Sequence, residues 1–561
     1  MKKQVVALIL AMLMVLALLT GCAPKQTQET QKTQETPKTD QKQDAPSTDK
    51  KDQQTNTEAS EEIPVDKFKG TKLKGVIVKY DRDESNGPDD KEILKMAEEA
   101  TGIDIEWTVV ENAVYKEQRN IILASGELPD FMLGMMDNDT LTQNAELFYD
   151  LSKDNLLETY APNVLRDYEE GQQGVLSQLT MADGSIRCLA GNIGTEFNSN
   201  IFNVMWINKA WLDKLNMEVP TTTDELYNVL CAFRDNDMNG NGDTKDEIPM
   251  AFCAANNYRI INLANCFGIT GTGYGDDTYY FELHDGVVEA TADTNEYRAY
   301  LEYCHKLADE GLLNLEGYSN TYEQYTSMLA EGKIGVWFGW SPKTDSCGNP
   351  EEFVPMMPPQ GIEGVEVRKT GYLDKPVFRT AALAISAKTE NVEAILHWWN
   401  WFSKDVETKY LCRWGNFYYD ENGQIRNGVP ADKLPEGVAA STLEYTYGMG
   451  NQTSPYIGPQ DYMQKFNEND LRHQFYNEVK DTIPAGEGDE LLSSKAIIDP
   501  EKVSERTFIE ADLLPMMSNF EATSIAEGVT DETWNAYLKN LKDYGYYDWL
   551  AWWQSFANGE F

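Results

Sequence analysis

Between residues 73 and 133 the sequence switches hydrophobic period repeatedly, and that switching limits the fold more than any other feature. Leu73, Val76, Ile77 and Val78 make a strand-like apolar run, and residues 90–100 then carry helical spacing. Ile103, Ile105, Trp107 and Val109 alternate with their neighbours as in a strand, residues 114–125 are again helical, and Phe131, Met132 and Leu133 follow the breakers Gly126 and Pro129. Strand, helix, strand, helix, strand predicts an α/β fold with a mainly parallel sheet covered by helices. Sheets of that kind hold ligands beyond the carboxyl ends of their strands.

The later chain is mostly helical. Tyr297, Tyr300, Leu301, Cys304 and Leu307 recur at three-and-four spacing, as do Trp549, Trp552, Trp553 and Phe556. Strand-like pieces return at 333–338 and 380–386. Long helical insertions between separated strands imply that the chain crosses from one α/β lobe to another and back. The expected division is a first lobe of residues 63–165 and 330–385 and a second of 166–329 and 386–561. A body of about 500 residues is too large for one core, which supports the same division.

Ahead of that body stand Lys2 and Lys3, an apolar run over 5–19 broken only by small alanines, and then Leu19-Thr20-Gly21-Cys22. This is the layout of an export signal, and the run is shorter than the roughly 20 residues that cross a bilayer comfortably. The small pair directly before Cys22 resembles the bacterial lipobox, which implies a signal peptide of residues 1–21, a lipid on Cys22, and a protein held at the extracellular face of the cell membrane by that anchor. Residues 23–62 are almost all Lys, Gln, Thr, Glu, Asp, Ser and Pro, with no large apolar residue before Ile63. Such a stretch cannot bury enough surface to offset chain entropy, so 22–62 reads as a tether.

A net charge of −44 repels nucleic acid and anionic lipid heads and favours a neutral or cationic ligand. Four His residues leave little for imidazole metal sites or His-based catalysis. The cysteines beyond Cys22 include no CxxC pair, so zinc and thioredoxin-type chemistry lack support, and most are expected to be buried, reduced thiols.

Residues 235–247 place oxygen-bearing side chains at alternate positions around Gly240 and Gly242. A hard cation such as Ca2+, which takes about six to eight oxygens, needs this kind of arrangement. Two registers compete. Starting at Asp235 makes Asp235, Asp237, Asn239 and Gly240 the first, third, fifth and sixth positions of an EF-hand-like loop, with Asp246 at the twelfth. Starting at Asp237 uses Asp237, Asn239, Asn241, the carbonyl of Asp243, and Asp246 with Glu247. The ion would be structural; the plainer alternative is a solvated Asn/Gly turn.

Thirteen Trp and 29 Tyr exceed ordinary packing needs, and such rings match the C–H faces and hydroxyl rims of pyranoses. Most are core by their spacing: Trp399 shares a helical face with Val392, Ile395 and Phe402. Better ligand candidates lie beside Gly, Ser and Pro: Trp337, Trp340, Trp414, Tyr274 and Tyr456, with Asn257, Arg259 and Asp130 as polar partners.

Several segments together resemble the large extracellular solute-binding lipoproteins of carbohydrate ABC importers, from about residue 70 to the C-terminus. They are Trp206-Ile-Asn-Lys-Ala-Trp211-Leu-Asp-Lys-Leu, Pro220-Thr-Thr-Thr-Asp224-Glu-Leu, Asp246-Glu247-Ile248-Pro249, Leu123-Ala-Ser-Gly126-Glu-Leu-Pro129-Asp130, Tyr160-Ala-Pro-Asn163, Glu331-Gly-Lys-Ile-Gly-Val and Trp534-Asn-Ala-Tyr537 through Tyr544-Gly. The resemblance implies a two-lobed, periplasmic-binding-protein-like fold of type II, with mixed sheets, many helices and a hinge. It also implies oligosaccharide capture without chemistry by a monomer, and delivery to membrane permease subunits. Members of that branch that bind alginate oligosaccharides carry a structural calcium in a comparable loop, which favours the register beginning at Asp237, although one additional residue precedes Asp246 here. The rival expectations are a surface glycoside hydrolase, which needs two carboxylates about 5–9.5 Å apart across a sugar, and a static polysaccharide-binding adhesin.

Overall fold

The computed structural model describes residues 63–64, 66–171, 175–181, 183–191, 204–254, 260–269, 280–284, 286–342, 345, 347–365, 367, 379–419, 423, 425–427, 433, 440–455, 471, 474–475 and 499–560. Cys22, the signal segment 1–21 and the tether 22–62 lie outside the described residues. No helix among the described residues is long and apolar enough to cross a membrane.

The described strands are, in chain order, β1 (Thr71–Lys79), β2 (Ile103–Glu111), β3 (Phe131–Leu133), β4 (Cys188–Gly191), β5 (Val204–Asn208), β6 (Ile248–Ala251), β7 (Phe281–His284), β8 (Val287–Ala290), β9 (Ile334–Gly339), β10 (Phe353–Met356), β11 (Arg379–Ile385), β12 (Phe417–Tyr419) and β13 (Ile425–Asn427). Two of the sheets organise the molecule, one ordered β2-β1-β3-β11-β4 and the other β10-β5-β9-β6.

In the first sheet β1 runs parallel to β2 and β3, as the alternating periods predict, and β11 is antiparallel to both β3 and β4. The helix Glu92–Thr101 makes the crossover from β1 to β2. It buries Ile93, Leu94, Ala97 and Thr101 on one face and ends on Gly102 at φ 71°, a left-handed cap that glycine adopts without a Cβ clash. Gly75, in the middle of β1, is required by its neighbours. A Cβ there would stand 2.7 Å from Phe131 and 2.8 Å from Trp107, whose rings pack edge to face with centroids 5.5 Å apart.

In the second sheet β9 lies between β5, to which it is antiparallel, and β6, to which it is parallel. Each sheet has its own hydrophobic core. One joins Leu73, Phe131, Leu179, Leu189, Leu383 and Trp398. The other joins Trp206, Phe233, Tyr300, Trp337, Met517 and Trp549.

These cores correct the expected lobe boundaries. The first lobe consists of residues from 66 to 191 and from 379 to 454; the second takes those from 204 to 365 and from 499 to 560. Thus 175–191 and 392–412, assigned by sequence to the second lobe, belong to the first, while β9 and β10 lie in the second. Periodicity reveals that 334–339 is a strand but carries no information about which sheet accepts it. The chain's exits from the first lobe are adjacent: Gly191 pairs with Arg379, and a Cβ on Gly191 would lie 2.4 Å from the carbonyl oxygen of Ser454.

All seven cysteines beyond Cys22 are free thiols; Cys231 is half-buried and the others are buried. Burial pushes the thiols of Cys188 and Cys412 up to about 12.

Candidate functional site

The carboxyl ends of β1 and β9 bring the two lobes together. After Lys79 the chain leaves β1 through Tyr80, Asp81, Arg82 and Asp83, and after Gly339 it leaves β9 through Trp340 and Ser341. The guanidinium carbon of Arg82, on the first lobe, lies 4.0 Å from the ring centroid of Tyr322, on the second. Tyr322 opens the helix Tyr322–Ala330, whose first turn is capped by Thr321 and Gln324 in a capping box.

The first-lobe side has a rigid support. Tyr80 stacks on Tyr445 with centroids 5.0 Å apart and planes 13° from parallel. Lys91 holds the turn that follows Tyr445. Its ammonium donates to the carbonyls of Tyr445 and Gly448, the latter at 2.9 Å, and pairs with the Asp83 carboxylate at 2.8 Å. Both side chains of that pair are more than nine-tenths buried. Burial pulls the Lys91 ammonium below its ordinary value, and Asp83 works against that shift.

The second-lobe side is organised by Asp345, which is completely buried. One carboxylate oxygen accepts the backbone N–H groups of Trp340 and Ser341 at 2.7 and 3.0 Å; the other accepts the Tyr322 hydroxyl at 2.8 Å. Burial, followed by the charge of Asp345, raises the Tyr322 phenol well above its usual range, so it remains a neutral donor. The site therefore presents flat, half-buried rings with polar edges, and among the described residues these groups form no assembled nucleophile and base.

The structure sorts the predicted ligand residues. Trp340 stands at the carboxyl end of β9, half-buried against the second core. Trp414 packs on Tyr410, centroids 5.0 Å apart, and under Arg413. The following Gly415 is pressed against the backbone of Tyr447 and Gly448, which places Trp414 near the turn that Lys91 holds.

Trp337 is a correction. It is fully buried between Trp206 and Phe353, with centroids 6.0 and 5.9 Å away, so it is a core residue, and its Gly and Ser neighbours gave a misleading loop signal. Asp130 is a second correction. It precedes β3 at the amino end of the sheet, where its carboxylate accepts from the Lys74 amide at 2.8 Å and the Thr389 hydroxyl at 2.6 Å, a staple remote from the strands' carboxyl ends. Tyr274, Tyr456, Asn257 and Arg259 lie outside the described residues. Sequence reasoning missed Tyr80, Arg82, Tyr322, Asp345 and Tyr445. The rule that ligands sit beyond strand ends was enough to single out Tyr80 and Arg82; the other three depend on tertiary contacts.

In the acidic loop, Asp235 is engaged by the Arg234 guanidinium at 2.7 and 3.1 Å. Asp237 instead accepts the amides of Gly240 at 2.7 Å and Gly242 at 2.9 Å, and Gly242 takes φ 90°. Asn239, Asn241 and Asp243 each accept the amide two residues on, and Asn239 and Asn241 direct their Nδ2 groups at Asp246. Glu247 is buried. Its Oε1 takes the Met238 amide, and its Oε2 has no hydrogen-bond partner among the described residues. Lys333 lies 3.8 Å from Asp246, and Lys214 donates to the Asp237 carbonyl. No group of three or more His, Cys, Asp or Glu side chains converges as a metal cage among the described residues.

Comparison with known proteins agrees with the two-lobed geometry. Residues 84–408 match the model of the bacterial extracellular solute-binding protein family. A fructooligosaccharide ABC transporter substrate-binding protein, FusA of Streptococcus pneumoniae, is 27% identical over 489 residues, 83% of this chain and 86% of that protein. The solved structure of FusA in complex with kestose has a TM-score of 0.74 at 25% identity, covering 87% of this chain and 99% of that one. An HMO-binding, ABC-transporter-associated solute-binding protein from Bifidobacterium longum infantis gives 0.69 at 27% identity, covering 87% and 98%. With two α/β lobes meeting over aromatic groups and the family model matched over more than half its length, the chain belongs to the bacterial extracellular solute-binding proteins and is a binding protein.

Proposed function

We propose that this protein captures a neutral oligosaccharide between its lobes, at the carboxyl ends of β1 and β9, and hands it unchanged to the permease subunits of an ABC importer. The observation that carries this reading is the contact of Arg82 with Tyr322 between the lobes, beside the strand ends that carry Tyr80 and Trp340. Half-buried rings supply the apolar faces that pyranose and furanose C–H surfaces cover, and the net charge of −44 disfavours an anionic polymer. FusA's fructooligosaccharide binding makes kestose the first probe and human-milk oligosaccharides the second.

Titration calorimetry with kestose, together with small-angle scattering, tests the reading. Binding is expected with a decrease in radius of gyration and without new reducing ends. Failure to bind either class of sugar, or release of monosaccharide, would overturn it.

Two further features belong to the same reading. The loop over 237–247 holds a structural Ca2+ through Asp237, Asn239, Asn241, the carbonyl of Asp243, Asp246 and Glu247. The orphaned, buried Glu247 Oε2 supports this, because a lone anionic oxygen away from water is what a hard cation satisfies. Millimolar Ca2+ is expected to raise the melting temperature of the wild type and to leave Asp237→Ala unmoved. An unchanged wild type would mean that Lys214 and Lys333 already balance the loop. Cys22 carries the lipid that ties the mature monomer to the outer face of the membrane. Cys22→Ser is expected to release the protein and to abolish labelling with a fatty-acid analogue, and retained labelling would exclude Cys22.

A further inference from the structure

We propose that Arg82 and Tyr322 form a latch that biases the two lobes toward closure through protein groups alone, short of the full closure that cargo brings, with Asp345 as its positioning residue. This rests on the reading that the groove between the lobes encloses the cargo, and it adds a source of closing free energy that the cargo does not supply. The guanidinium carbon of Arg82 lies 4.0 Å from the Tyr322 ring centroid, within cation–π range, and both groups are half-buried. Each half is fixed within its own lobe. On the first lobe, Asp83, the residue after Arg82, is tied to buried Lys91, which in turn holds the carbonyls of the 445–448 turn. On the second, buried Asp345 takes the Tyr322 hydroxyl while it clamps the Trp340 and Ser341 amides, so the ring cannot turn away without breaking a hydrogen bond to a buried carboxylate.

The two halves are anchored in different lobes, so movement of one lobe away from the other parts them. The contact therefore biases the open–closed equilibrium directly, and the apparent affinity for any cargo scales with the closed fraction it maintains. Asp345 has a second consequence. Because the same carboxylate orients Tyr322 and the Trp340 loop, the latch and the groove wall at the end of β9 are set by one group, and closing the lobes presents Trp340 in a fixed position.

The test is small-angle scattering of the cargo-free full chain, followed by kestose dissociation rates in stopped flow. Arg82→Ala is expected to raise the radius of gyration without sugar and to speed kestose release roughly 3- to 30-fold, with little change in association rate. Arg82→Lys is expected to restore part of both effects. Tyr322→Phe keeps the ring but frees it from Asp345 and is expected to fall between wild type and Arg82→Ala. Asp345→Asn probes the positioning role and is expected to open the cargo-free protein as Tyr322→Phe does; should it fail to fold, Tyr322→Phe carries that part of the test. A cargo-free radius of gyration unchanged in Arg82→Ala overturns the latch. If release alone is faster, Arg82 is a sugar contact. Since the scattering arm needs no sugar, the latch can fail while oligosaccharide capture stands, and the reverse.

Discussion

Lys91 shows how much one side chain can determine. A buried ammonium is tolerated only when paired and fully hydrogen-bonded, and here Asp83 and the carbonyls of the 445–448 turn meet both demands. Replacing it with methionine leaves Asp83 buried without a counter-charge, so Lys91→Met is expected to cost about 3–5 kcal/mol in urea unfolding. Asp83→Asn in the same chain is expected to recover part of that loss; a purely additive double variant would show that the pair does not couple. The sequence gives little warning of this site. Lys91 lies among charged residues of the kind that usually cover a solvated helix start, and its carbonyl partners come from a turn more than 350 residues away. Trp337 is the opposite error. Its Gly and Ser neighbours suggest a loop, but it stacks beneath Trp206 in a strand that is buried along its whole length. What a side chain faces is a tertiary fact, and local composition reported it wrongly in both cases.

At the scale of elements, the long helix Pro500–Glu527 does more than complete the second core. Its Arg506 reaches across to Asp139, in the first-lobe helix Asn138–Gln143, while also pairing with Glu510 at 3.1 Å and lying over the rings of Trp552 and Trp553. Burial raises both carboxylic acids above their usual range, and Arg506 offsets only part of that shift. An acid whose folded-state value is raised binds protons more readily folded than unfolded. The stability tied to these two groups is therefore fully present below the ordinary carboxylate range and declines as pH rises through their folded values. Arg506→Ala removes the offset. It is expected to cost about 3 kcal/mol at pH 7, the low end for a buried pair because Asp139 keeps more than a third of its side chain in water, and to cost less at pH 5. Urea unfolding at the two pH values measures this, and an equal cost at both would show that the acids remain ionised. The elements themselves were readable in sequence. The alternating periods located β1, β2, β3 and their helices, and three-and-four spacing located the helices Asn295–Asp309 and Tyr546–Ala557. Sheet membership was not readable, because strand period is the same in either lobe.

Across the whole molecule, the first sheet is discontinuous in sequence: β11 stands between β3 and β4, and β11 arrives only after most of the second lobe has been traversed. A fragment of residues 63–191 has β1 to β4 but lacks the strand that joins β3 to β4. It is expected to lack a cooperative urea transition and near-ultraviolet tyrosine and tryptophan circular dichroism, whereas the chain from 63 to 561 shows both. A cooperative fragment would mean that β3 and β4 find another partner. The arrangement also sets a timetable for synthesis. Until residue 385 has left the ribosome the leading lobe has no complete sheet, and non-local pairing of this kind is slow. The nascent chain therefore stays threadable over much of its length, a property that suits a member of an extracellular family, whose site of action lies across a membrane from its site of synthesis.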